Sequence, residues 1–317
     1  MVNPIDYRKM KSSILKILST FSPDPVSGQK ISKELGVSRV AIWKQVQSLQ
    51  DLGYPIQSTS KGYFLKKQSD CLYSWEFPEL KDRVFYYPKL ASTMDQAKHH
   101  ALEGCPDFSV VIADIQEKGR GRLDRNWESQ KGGLYFTLIL RPEIPSAIAH
   151  QISFTASVCL VDVLRNDYQL EASIKWPNDI LVGDQKICGM LCEIKVEADL
   201  VKYLNIGIGV NINNSPKIRN VETTSIKALV GKKISRKMVL KQFLTSFQNR
   251  LEANDFSSVL DQWRILSATL NREVEIKTTR ETVKGKAIGI NESGALVLET
   301  VEKQTQLIYF GDCFHLN

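Results

Sequence analysis

The residues best equipped for chemistry form one short run, Gly119-Arg120-Gly121-Arg122-Leu123-Asp124-Arg125-Asn126-Trp127. Its three arginines carry planar guanidinium groups that can fork onto carboxylate or phosphate oxygens. Its two glycines offer positive φ and close backbone approach to a ligand. The run reads as an anion clamp. A solvated basic turn has the same composition, because a glycine/arginine run alone is a weak signal. A second concentration, Ile174-Lys175-Trp176-Pro177-Asn178-Asp179, sets groups that are costly to bury beside the apolar Ile180-Leu181-Val182. A lysine there needs an anionic partner, either Asp179 across a turn or a phosphate brought by a ligand. Ser92 and Thr93 put hydroxyls where a helix should begin. They suit a small polar ligand, or simple capping through the spacing Thr93-x-x-Gln96.

The elements that must hold these groups follow from apolar patterning. Residues 84–87 form a short strand, and the helix after Ser92 should stop near Gly104 with His99 and His100 on its surface. Residues 109–115 are β-branched and apolar, a buried strand that delivers Gln116 and the arginine loop at its end, where α/β sheets bind ligands. Further strands are expected at 133–140, 186–191 and 205–211, with a helix over about 148–166. The small residues of the last two strands leave room for a ligand, although the alternation Gly207-Ile208-Gly209 equally suits a bulge.

Net charge divides the chain unevenly. The whole carries +7, yet residues 1–66 alone carry +6, which marks the first segment as the part that meets a polyanion. That segment has helical spacing at Met10, Ile14, Leu18 and Phe21, then a helix capped by Ser27, a turn at Gly36-Val37, and a third helix capped by Ser38. A two-stranded wing around Thr59-Ser60-Lys61-Gly62 completes a winged helix-turn-helix. In it Ser38, Arg39, Lys44 and Gln45 would approach operator DNA bases and Lys61 a phosphate. Trp43 is expected to be a half-buried packing residue, and a module that binds protein instead is the alternative. Residues 67–83 lack periodicity and read as a linker. The six cysteines lack Cys-x-x-Cys pairing, so neither zinc nor a disulfide framework is indicated. No leader peptide or membrane span is expected, which points to the cytoplasm.

Taken together, the arginine loop, Lys175-Trp176-Pro177-Asn178-Asp179, Lys186-Ile187-Cys188-Gly189-Met190-Leu191 and Gly207-Ile208-Gly209-Val210-Asn211 stand in the order and spacing of the biotin–protein ligases. With the N-terminal module, the chain resembles the bifunctional ligase and biotin operon repressor form over essentially its full length. The resemblance implies a multidomain α+β protein. It would comprise a winged helix-turn-helix (1–66), a linker (67–83), a central α/β ligase domain of the biotin/lipoate-ligase type with a mixed sheet (84–269), and an SH3-like β-barrel (270–317). Barrel strands are expected near 274–277, 283–290, 295–299 and 306–310.

The resemblance also implies a reaction in which biotin attacks the α-phosphate of ATP, with Mg²⁺ accompanying the nucleotide. The biotinyl-adenylate then passes to a lysine of a biotin carboxyl carrier domain. Lys175, Arg120 and Arg122 would be catalytic. Ser92, Thr93, Met94, Gln116, Gly121 and Gly189 would join them around biotin. Arg122, Arg125, Trp127, Asn178, Asn211 and Arg272 would hold ATP or the adenylate. No protein metal site is implied, and a homodimer through the central sheet is. Two positions depart from the family pattern: Met94 stands where Asn is common, and Asp124 where Gly is. Two alternatives stay open, a DNA-binding biotin sensor with little ligase activity and a ligase that has lost operator binding.

Overall fold

The structure, a computed structural model, describes residues 7–67, 69–122, 125–216, 221–278 and 281–316. Contacts divide the chain after Tyr86 into two compact units. In the first, three helices precede a hairpin: α1 (Tyr7–Phe21), α2 (Gly28–Leu35), α3 (Arg39–Asp51), β1 (Ile56–Thr59) and β2 (Gly62–Leu65). Ser27 and Ser38 cap α2 and α3 by accepting from Lys30 N and Ala41 N, each at 3.1 Å, and Gly36 ends α2 at φ 64°. Ile14, Leu18, Ile31, Ile42, Val46 and Leu49 close one core. This is a helix-turn-helix with a wing.

Residues beyond the wing, expected as a linker, carry 3-10 helices at Ser74–Glu76 and Pro78–Arg83, with Leu72, Phe77 and Leu80 buried. Tyr54 Oη donates to Glu76 Oε1 at 2.6 Å and accepts from Trp75 Nε1 at 2.9 Å, fastening this segment to the first unit.

A seven-stranded sheet organises the rest, in the order β3-β4-β5-β9-β8-β7-β6. Its strands are β3 (Val84–Tyr87), which spans the division, β4 (Ser109–Ala113), β5 (Leu134–Leu140), β6 (Ala172–Lys175), β7 (Asp179–Val182), β8 (Gln185–Glu197) and β9 (Leu200–Val210). Pairing from β4 through β6 is antiparallel, while the bridge Leu90↔Gln116 is parallel. Side chains alternate between faces. On one face Phe136 packs edge-on against Phe243 of α7 (Arg236–Ala253), beside α5 (His150–Tyr168) and α8 (Phe256–Leu266). On the other, Thr137, Gly207 and Gly209 lie toward α4 (Thr93–Leu102) and the arginine loop. Among the described residues, one helical stretch, Ser146–Tyr168, is long and apolar enough to cross a membrane, and it is mostly buried here as a core helix. α7, α8 and the short α6 (Ile226–Val230) occupy a region for which the sequence suggested no elements.

The C-terminal strands are β10 (Glu273–Lys277), β11 (Thr282–Ile290), β12 (Leu296–Glu299), β13 (Thr305–Ile308) and β14 (Asp312–His315). They form one antiparallel sheet in the order β13-β12-β11-β10-β14 and do not close into the expected barrel among the described residues. β14 lies outside the expected strands; it pairs with β10 and brings Asp312 to Arg125 and His315 to Thr269.

Candidate active site

The arginine loop leaves the end of β4 as a narrow hairpin. Trp127 N donates to Gly119 O at 2.8 Å, Gly121 N to Arg125 O at 2.7 Å, and Arg120 bridges Asn126. Neither glycine has the positive φ expected of it. What excludes a side chain at Gly119 is space, since a Cβ would run into the Trp127 carbonyl and come within 2.7 Å of Ser129 Oγ. Leu123 and Asp124 lie outside the described residues.

Each arginine has its own environment. Arg120 is held by two carboxylates, Asp95 of α4 at 2.9 Å and Glu193 of β8 at 2.5 Å. Burial works against its charge, but Glu193 and Asp95 outweigh that and raise its pKa. Arg120 therefore pins the loop to α4 and β8. Arg122 is half-buried, and burial pulls its pKa down against the opposing influence of Asp312 and Asp179. A desolvated guanidinium of this kind is primed for a strong anion. Arg125 is exposed and pairs with Asp312 of β14 at 2.5 Å.

Trp127 folds back over the floor of the sheet. A Cβ on Gly189 would stand 2.8 Å from its Cζ3, and one on Gly209 would collide with its Nε1. The ring thus lies against both glycines, which are paired across β8 and β9. The room left by these small residues is filled by indole. Its Nε1 is buried without a hydrogen-bond partner.

The lysine above this ring is Lys186. Its Nζ lies 5.2 Å from the Trp127 centroid and 2.7 Å from Asp179 Oδ2, with the two charged side chains only 20% and 29% exposed. From sequence, Lys186 stands only as a strand residue. No local pattern in the sequence pairs it with Asp179; the pairing arises in the β7–β8 hairpin, whose register shifts between Ile180 and Leu181. Asp179 is therefore paired with Lys186 and not with Lys175, the partner expected across the turn. Among the described residues Lys175 has no ion-pair partner, and its charge is felt instead by Cys313 and His315 of β14.

The remaining expected residues fall into three groups. Ser92, not Thr93, caps α4 by accepting from Met94 N at 3.2 Å. Thr93 N and Oγ1 both donate to Gln116 Oε1, at 2.7 and 3.0 Å, and Gln116 Nε2 donates to Ser129 Oγ at 2.8 Å. Thr137 Oγ1, unremarked in the sequence, donates to Thr93 Oγ1 at 2.9 Å. Met94 is buried, with its Sδ against Gly207. Gln96 approaches His100 Nε2 at 3.3 Å in place of a capping box. His100 is not a surface residue: it packs inward against Tyr87 Oη at 3.0 Å, and burial lowers its pKa.

The polar turn after β6 serves the scaffold. Asn178 Nδ2 donates to Met190 O, and Met190 N to Asn178 O at 3.1 Å. Asn211 is fully buried; its Oδ1 accepts from Asn214 Nδ2 at 3.1 Å while its own Nδ2 has no partner. Arg272 reaches Asp184 at 3.3 Å. Among the described residues no group of three or more His, Cys, Asp or Glu could hold a metal.

On the first unit, Arg39, Lys44 and Lys61 are exposed, while Gln45 is half-buried with Oε1 unpartnered. Trp43, expected to pack, is 52% exposed beside the exposed Val40.

Comparison with known proteins matches this geometry. The Biotin/lipoate A/B protein ligase family matches residues 86–212, an HTH domain residues 11–64, and the Biotin protein ligase C terminal domain residues 269–316. The bifunctional ligase/repressor BirA of Bacillus subtilis is 33% identical over 92% of this chain and 95% of its own length. The Escherichia coli protein of the same name is 28% identical, covering 86% and 88%. A solved Aquifex aeolicus biotin protein ligase in complex with biotin and ATP is 26% identical, with TM-score 0.64 over 74% of this chain and 99% of that one. A helix-turn-helix unit, an arginine hairpin over a glycine floor and a C-terminal sheet, in that order, make this chain a member of the biotin–protein ligase family, of the ligase/repressor type.

Proposed function

We propose that this chain activates biotin with ATP, transfers it to a lysine of a biotin carboxyl carrier domain, and represses transcription through its N-terminal unit. One observation carries the ligase reading: Lys186, paired with Asp179, lies over a tryptophan that rests on paired glycines, and the half-buried Arg122 stands within electrostatic reach of the same Asp179.

In the first step a biotin carboxylate oxygen attacks the α-phosphorus, the bond to the bridging oxygen breaks, and pyrophosphate leaves with its electrons. The carboxylate is already ionised, so no side-chain base or nucleophile is needed. The obstacle is repulsion between two anions, about 4 kcal/mol for unit charges 4 Å apart at an effective dielectric near 20. Lys186 and Arg122 offset that repulsion and stabilise charge developing on the phosphoryl oxygens. In the second step the carrier lysine, as free amine, attacks the acyl carbon and AMP leaves. Trp127 covers the adenylate and excludes water. Magnesium enters as the ATP complex, which suits a cation that keeps its waters and binds through phosphates.

Ser92, Thr93 and Gln116 surround the biotin ring system, and Met94 gives it an apolar wall where a polar contact was expected. The orphan Asn211 Nδ2 is the donor available to the adenine. Arg125 takes a phosphate only by exchanging it for Asp312. The C-terminal strands correspond to the SH3-like module of the family, as the match over residues 269–316 supports. Beyond Met190, β8 is paired with β9 alone among the described residues, which supports a homodimer joined at that edge.

The test of the ligase reading is biotin-dependent pyrophosphate release from ATP and Mg²⁺, followed by labelling of a carrier domain. Protein that releases none refutes it. For the repressor, affinity for operator DNA should fall steeply with salt and disappear on deletion of residues 1–66; retained affinity would refute the assignment.

A further inference from the structure

His315 lies at the end of β14, opposite Val274 of β10. Its half-buried imidazole makes two contacts at once. Nδ1 is 3.3 Å from Arg272 Nη1, and Nε2 is 3.1 Å from Thr269 Oγ1. A guanidinium offers only donors, so Nδ1 must accept and the ring proton must sit on Nε2, where it is donated to the threonine. Thr269 is fully buried, and the same Oγ1 accepts from Trp176 N at 2.9 Å.

The segment around Thr269 lies alongside β6. Ser267 bridges Ile174, and Ala268 N donates to Ile174 O at 2.8 Å. The turn that follows β6 ends at Asp179, the partner of Lys186. On its other side Arg272 meets Asp184, two residues before Lys186. One imidazole is therefore connected to both flanks of the hairpin that carries the Asp179–Lys186 pair.

We propose that His315 is a positioning residue for adenylation, with its neutral ring holding Arg272 beside Asp184 and, through Thr269, fixing the turn that presents Asp179 to Lys186. This rests on the reading of the Lys186 site as the place of adenylation. The groups facing the imidazole are Lys175 from β6, Arg272 from the approach to β10 and Asp184 from the β7–β8 turn. A second ring proton would meet two cations and only one carboxylate, and Nδ1 could no longer accept from Arg272.

The experiment uses full-length protein and three substitutions, His315→Ala, His315→Asn and Arg272→Ala, each checked by circular dichroism to be folded at the assay temperature. His315→Ala should raise KM for ATP about tenfold, the factor expected for one lost hydrogen bond to a charged group, with KM for biotin within about twofold. His315→Asn keeps an acceptor near the Nδ1 position and should recover most of that loss. The double variant His315→Ala/Arg272→Ala should be no worse than Arg272→Ala alone, because both act through one contact. Long-range ¹H–¹⁵N correlation at neutral pH should find the Nε2–H tautomer. An unchanged KM for ATP in a folded His315→Ala, additive effects in the double variant, or an Nδ1–H tautomer would each overturn the proposal. ATP affinity is measured in parallel by calorimetry. Absence of turnover in the wild type then counts against the adenylation reading, and an unchanged ATP Kd in His315→Ala counts against this one.

Discussion

Replacing Lys186 by alanine tests the site most directly, because the sequence assigned the anion-neutralising role to Lys175 and we propose Lys186 for it from its place beside Asp179 and Trp127. The ammonium sits 2.7 Å from Asp179 and over the Trp127 ring, with most of its surface withdrawn from water. A cation about 4 Å from a phosphoryl oxygen at an effective dielectric near 20 is worth up to about 4 kcal/mol. Its removal also strands Asp179, whose carboxylate would then repel incoming biotin and ATP. Arg122 remains nearby and recovers part of the loss. A fall of about 10² to 10³ in the rate of biotin-dependent pyrophosphate release is expected, the range seen when one preorganised electrostatic contact is removed. With the role assigned to Lys186, Lys175→Ala should cost less than about tenfold. Adding Asp179→Asn to Lys186→Ala should restore part of the rate by removing the stranded charge. Single-turnover measurement with saturating ATP separates chemistry from binding. If Lys186→Ala stays within about threefold of wild type, or Lys175→Ala falls as far, the electrostatic assignment is wrong.

Three further outcomes follow from particular contacts. Gly209→Ala places a methyl group into Trp127 and should displace the indole, seen as red-shifted tryptophan emission and weaker ATP binding; unchanged emission would mean that the ring does not rest on β9 in solution. Arg122→Gly removes the desolvated cation of the loop and should let biotinyl-adenylate escape to label lysines of bystander proteins, whereas labelling confined to the carrier would assign retention to other residues. Burial first, then Lys175 and Arg272, push the His315 pKa down from 6.5 to about 4. A depressed native pKa means that its contribution to stability is complete above the unfolded value and is lost as pH falls through about 4. The melting-temperature advantage of wild type over His315→Asn should therefore shrink between pH 6.5 and pH 4, and a constant gap would contradict this.

Much of the fold was legible because its signals are local. Ser27, Ser38 and Gly36 mark helix ends by chemistry confined to one turn, and the short β-branched run at 109–115 reads as a buried strand, found as Ser109–Ala113. The excess charge of residues 1–66 marks the helix-turn-helix unit. The order of the glycine and arginine motifs then identified the family. Nothing local marks β14, a four-residue strand whose pairing with β10 spans about 40 positions, a separation that local patterning does not encode.

The amino-acid sequence by itself determined which groups are present: a clamp of arginines, two lysines around a polar turn, paired small residues and a basic N-terminal module. Only the tertiary structure decided what each group faces. It gave Asp179 to Lys186, turned Arg120 onto two carboxylates, laid Trp127 on Gly189 and Gly209, and brought His315 to Thr269 and Arg272. The physical reason is that charge pairing and desolvation depend on distances of a few ångströms between strands far apart in the chain, and one residue of register moves a side chain to the opposite face of the sheet.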